Sequence, residues 1–176
     1  NTLMGRRLLT PYPDRAEQDR KLKVYTSLPL TGDMEVTGHP IAHLTVSSTA
    51  TDGAFFVYLE DVTPAGAVRH VTEGELRALH RKVCTEAPPY WIAGPYHTFK
   101  RADAMPLVPG EPANLDFELL PTSYLFKAGN RIRVAIACAD RDHFAQIPTD
   151  TPTLPTIRIF RDRTSPSRIE LPVVAP

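Results

Sequence analysis

The chain has 176 residues, enough for one domain that buries a core without metals or disulfides. Its 20 Lys and Arg balance 20 Asp and Glu, so it has no basic surface of the kind that displaces counterions from nucleic acid. No apolar run approaches the ~20 residues of a membrane span, no secretory signal is expected, and 18 prolines argue against long helices.

In chain order, residues 1–20 mix Arg, Pro, Asp and Gln without a sustained period and read as a linker into the domain. Period-two alternation begins at Leu22 and Val24 and returns at Ala42, Leu44 and Val46. The stretch 55–59 is apolar on both faces, as a strand covered on both sides would be. Thr63-Pro64-Ala65-Gly66 is turn chemistry, and 68–73 returns as its hairpin partner. ELRALHR (75–81) suits a helical turn by propensity or a continued strand by alternation. Residues 83–112 form a long Pro-rich loop that carries the single Trp. Leu115, Phe117 and Leu119 then alternate. Ile132, Val134, Ile136 and Cys138 do so against Arg131, Arg133, Ala135 and Ala137. Ile157 and Ile159 start a further strand, and Ile169, Leu171 and Val173 the last. Short strands without βαβ spacing predict an all-β chain folded as a two-sheet β-sandwich.

The search for chemistry is mostly negative. A nucleophile elbow needs a Ser with Gly two residues to each side, and none of Ser27, Ser47, Ser48, Ser123, Ser165 and Ser167 has one. Cys84 and Cys138 are expected to stay free, Cys138 as a small hydrophobe. His39 and His43 are four apart, a spacing that aligns metal ligands on a helix but not on a strand, so no metal site is expected there. Asp140-Arg141-Asp142-His143 reads as a loop-capping network rather than a Ca²⁺ site. The isolated glycines cradle no phosphate. No catalytic, cofactor-binding or metal-ligating residue is therefore expected. The remaining candidates, for an interface or a ligand, are Tyr90, Trp91, Tyr96 and His97. Aromatics in a long loop cover the open end of a sandwich or face a partner domain; a sugar-stacking platform is the alternative.

Five stretches carry a resemblance. YTSLPLTGDMEVTGHP (25–40), FFVYLEDV (55–62), VTEGELRA (71–78), PTSYLFKAGNRIR (121–133) and SRIELPVV (167–174) follow one another in order. They are similar to the C-terminal domain of the cocaine esterase and X-Pro dipeptidyl-peptidase family, the CocE/NonD hydrolases. The resemblance implies a jelly-roll of the galactose-binding-like type spanning 21–176, extended structure over 75–81, and a non-catalytic role. The partner it implies is an α/β-hydrolase domain of the same parent chain, which would hold the Ser, Asp and His of an ester or amide hydrolase and be stabilised and walled by this domain. A cytoplasmic location goes with it. A homo-oligomer through an exposed edge strand stays open, and a free-standing carbohydrate-binding module is the alternative function. Within 25–40, Pro29 is expected to break the first strand so that the chain crosses to the other sheet, with Gly32 and Gly38 freeing the corners.

Overall fold

A computed structural model describes residues 14–140, 143–149 and 153–175. Arg6 and Arg7, most of the expected linker, and Arg141 and Asp142 of the capping loop lie outside them. The described residues form an all-β sandwich without an α-helix. Its strands are β1 (Lys23–Thr26), β2 (Met34–Gly38), β3 (Ile41–Ser48), β4 (Ala54–Val62), β5 (Val68–Arg77), β6 (Ala113–Glu118), β7 (Thr122–Phe126), β8 (Arg131–Ala137), β9 (Ile157–Ile159) and β10 (Arg168–Glu170).

One sheet has the order β1-β8-β4-β5, and a second has β10-β3-β6 with β9 also on β3. β2 and β7 make a separate two-stranded sheet. All these pairs are antiparallel. The alternations read from the sequence fall where expected. Ala42, Leu44 and Val46 of β3, Phe55, Val57 and Leu59 of β4, Leu115 and Phe117 of β6, and Ile136 of β8 meet in one buried cluster. The other face of β4 is covered as well. Phe56 and Tyr58 pack with Ala135 and Ala137 against Leu22, Val24 and Ala54, which explains the two-sided apolar run.

The chain does leave the first sheet after β1, but β2 joins β7 rather than the opposite large sheet. Gly38 turns that corner with a φ of 133° that side chains avoid. Gly32 does not share this role, because the described positive-φ glycines are Gly38, Gly66, Gly110 and Gly129. The hairpin at 63–66 closes through Gly66 N–H to Thr63 O and Thr63 N–H to Ala67 O. β5 stops at Arg77, and Ala78–His80 is a single 3-10 turn, so extended structure over 75–81 holds only for its first half. Asp52 ends the strand: its carboxylate accepts from Arg77 Nε at 2.7 Å and from the Leu79 N–H at 3.1 Å.

Candidate functional site

Loop 83–112 is anchored at several points, which fixes what its aromatics can present. Leu107 is buried in the main core. Backbone donors at Met105, Leu107 and Gly110 reach the carbonyls of Leu79, Thr51 and Ser48 at 2.7–2.8 Å. His97 is buried, with Nδ1 3.1 Å from Lys82 O and Nε2 2.8 Å from Asp116 O. It thus ties the loop to the chain before it and to β6. Asp103 accepts from Lys82 Nζ and from Thr98 Oγ1, and the Lys82 ammonium holds its carboxyl below the usual range. The same bond pushes Lys82 up.

On this frame sits an exposed aromatic face. Trp91 is 78% exposed, Phe99 60% and Tyr90 55%. Tyr90 meets the half-buried Tyr96 edge-on, with centroids 5.8 Å apart. Trp91 meets His39 in the same way at 5.6 Å. Below them Glu118, at the end of β6, accepts from the Gly94 N–H at 3.0 Å, and His39 Nδ1 stands 3.3 Å from the same carboxylate oxygen. Phe99 adopts a φ of 55°, an outlier for a bulky residue, and stands edge-on to His80.

The structure thus joins Tyr90 with Tyr96 and sets Trp91 beside them on His39, while His97 faces inward as an anchor rather than outward as a contact. His39 and Glu118 beneath Trp91, and the exposed Phe99 on His80, are residues that the sequence reading did not name as interface candidates. Only Phe99 carried a local signal, as one more aromatic in the same loop. The ring pairs in contact, Trp91–His39, Tyr90–Tyr96 and Phe99–His80, all meet edge-on rather than coplanar, which suits docking to an irregular apolar surface.

Elsewhere, His43 lies 2.6 Å from Asp116 and 3.2 Å from Glu170, at the edge of a polar cleft lined by Thr45, Asn114 and Arg168. The groups there are spent on one another: Thr45 Oγ1 donates to Asn114, and Arg168 pairs with Glu170. His39 and His43 therefore point to different carboxylates. Among the described residues no three His, Cys, Asp or Glu converge as a metal site. His143 Nδ1 and Asp140 Oδ2 are 2.8 Å apart, and Asp140 O accepts from the Phe144 N–H, so the described part of that loop is capped by its own residues. Both cysteines are free, and burial pushes the Cys138 thiol up to about 11, which leaves it unreactive. No described helix is long and apolar enough to cross a membrane.

Comparison with known proteins identifies the family. The family model described as X-Pro dipeptidyl-peptidase C-terminal non-catalytic domain matches residues 2–170. A Mycobacterium bovis protein that carries the name serine esterase is 56% identical over 165 residues, covering 94% of this chain and 26% of the relative. The cocaine esterase of a Rhodococcus strain is 29% identical over 175 residues, 93% of this chain and 28% of that protein. The chain therefore spans about a quarter of the length of the curated relatives it matches. Among solved structures, a CocE/NonD family hydrolase from Staphylococcus aureus superposes with a TM-score of 0.74 at 21% identity, over 91% of this chain and 32% of that one. An α-amino acid ester hydrolase does so with 0.71 at 22% identity, over 92% and 27%. At such identities these two show a shared fold.

Proposed function

Because the chain belongs to the family of X-Pro dipeptidyl-peptidase C-terminal non-catalytic domains, we propose that it is the docking domain of a serine hydrolase acting on esters or amides. Its partner is the α/β-hydrolase domain of the same parent chain, which it stabilises and whose cleft it walls on one side. Residues 21–176 form a jelly-roll of the galactose-binding-like type, 1–20 the linker, and 83–112 the loop that meets the partner. Tyr90, Trp91 and Tyr96 supply the contact, with Phe99 and His39 beside them, and His97 holds them in place. The location is cytoplasmic, where two unpaired thiols suit a reducing environment.

The observation that carries this reading is the exposed aromatic face on a rigid frame. Large apolar side chains gathered at the surface mark interaction sites. Trp and Tyr are the residues that most often dominate a protein interface.

The test has two steps. The coding DNA upstream of Asn1 is read first; an in-phase frame leading back to a Gly-x-Ser-x-Gly elbow identifies the parent, and an in-phase stop overturns the reading. The upstream part is then expressed and titrated with this chain. Trp91→Ala is expected to leave the melting temperature unchanged, since Trp91 is mostly exposed, and to weaken docking by about tenfold or more. Unchanged affinity would remove this face from the interface.

A further inference from the structure

The outer face of the β1-β8-β4-β5 sheet holds a buried cluster of acids and guanidinium groups that the docking role does not use. Residues 14–21 run across this face. The Arg15 N–H donates to Val68 O, and Asp14 accepts from the Val68 N–H, both at 3.1 Å. Two arginines then bridge the segment and the sheet. Arg15 Nε donates to Glu60 at 2.5 Å, with its guanidinium stacked 4.2 Å from the Tyr58 ring centre. Arg133 of β8 donates to Asp19 at 2.8 Å. The Asp19 side chain is 3% exposed and that of Glu60 0%.

Among the four groups, one oxygen of each acid lacks a donor: Asp19 Oδ1 and Glu60 Oε2 are both buried without a hydrogen-bond partner. Leaving two such oxygens ionised and dry is costly, and one proton between them satisfies both. We propose that Asp19 and Glu60 share a single proton, and that this carboxyl pair is a pH-sensitive latch fastening segment 14–21 to the sheet.

The other groups facing Glu60 are accounted for. Its register partners are Arg133 on β8 and His70 on β5. His70 Nε2 stands 3.3 Å from Glu73, and its ring lies edge-on to Tyr58. Asp61, on the opposite face, is held by Asn130 and Tyr124. Burial first, then the adjoining Asp19 carboxyl, push Glu60 up to about 7, against a lowering by Arg15. The pair therefore keeps its proton in mild acid and loses it as pH rises through that value. The second negative charge then strains the contact between segment and sheet. The inference stands apart from the hydrolase reading.

The test follows the side-chain carboxyl carbons of Asp19 and Glu60 by ¹³C NMR in the 176-residue chain, together with hydrogen exchange at the Asp19 and Leu22 amides. One of the two carboxyls is expected to titrate near neutrality. Protection of those amides, corrected for intrinsic rates, should fall by about tenfold or more from about pH 5 to about pH 8. Glu60→Gln keeps a donor toward Asp19 without titrating, and should make protection independent of pH. If that variant does not fold, Asp19→Asn serves, since its amide is a permanent donor without a charge and should lower Glu60 from about 7 toward the ordinary carboxylate range, burial alone still holding it up. Both wild-type carboxyls ionising below about pH 5 would overturn the shared proton. A near-neutral titration with constant protection would overturn the latch.

Discussion

A methyl group on Gly74 would sit 2.6 Å from the Glu118 carbonyl oxygen and 2.8 Å from the Leu119 Cα. Both neighbours are backbone, so neither can swing aside as a side-chain tip would. The close approach is how β5 of one sheet meets the end of β6 in the other. Leu120 N–H donates to Glu73 O at 2.8 Å and Thr72 Oγ1 to Leu120 O at 2.7 Å, stitching the two together. Gly74→Ala is expected to destabilise the chain by about 1–3 kcal/mol through overpacking, even though alanine restricts the unfolded chain more than glycine and would otherwise stabilise the fold. Thermal unfolding checks this, and a variant as stable as the parent would mean that the strands can part without loss. The sequence showed Gly74 only as one letter of VTEGELRA. Its reason is a contact with residues more than forty positions away, and no local pattern encodes that.

At the scale of an element, loop 83–112 behaves as a braced platform. His97 is its central pin, since both ring nitrogens face backbone carbonyls on different segments. His97→Ala removes both contacts and leaves the Lys82 and Asp116 carbonyls to find water, at about 1–3 kcal/mol. Cys84 N–H, which donates to Tyr96 O at 2.8 Å, reports on the loop directly. Its hydrogen exchange should quicken in the variant more than exchange in β3 or β8 does. Equal acceleration everywhere would mean that His97 supports the whole sandwich, and no acceleration would mean that the other anchors suffice. The strands were legible because alternation is a local signal: residues 42, 44 and 46 turn inward whatever they pair with. Sheet membership was not legible, and the β2-β7 pair shows why. Its partners are about ninety residues apart in sequence, and either strand would read the same in a larger sheet. The register shift between Leu59 and Glu60 was also hidden, because FFVYLEDV gives no sign of where the hydrogen-bond ladder slips. For the site, the aromatic residues could be picked out by type and loop context. The His39 and Glu118 brace under Trp91 could not, since a polar side chain shows its partner only in three dimensions.

Over the whole molecule, the shifted acids fall into two groups with opposite consequences for stability. Asp14, Asp33, Asp103 and Asp162 lie below their ordinary value. The causes are backbone N–H donors at Asp14 and Asp33, the Lys82 ammonium at Asp103, and the Thr164 hydroxyl at Asp162. What they contribute is present above the unfolded carboxylate value and is lost as pH falls through their lowered ones. Glu60 and Glu75 are raised, both chiefly by burial. Their contribution is complete below the unfolded value near 4.5 and is lost as pH climbs, for Glu60 through about 7. Cys138, raised to about 11, acts in the same sense, and its contribution is lost only above the ordinary thiol range. Stability should therefore peak in mild acid, slope down toward neutrality, hold, and fall again in strong base. Discounted for solvent screening, the Glu60 limb amounts to roughly 2 kcal/mol, or about 4–8 °C in melting temperature for a chain of this length. Calorimetry at a series of pH values checks it. Glu60→Gln should flatten the slope between about pH 5 and about pH 8 and leave the acid fall in place, because the aspartates that cause that fall are elsewhere. A melting temperature that rises steadily from about pH 5 to about pH 8 would mean that the lowered aspartates, or groups outside these carboxylates, govern the molecule instead.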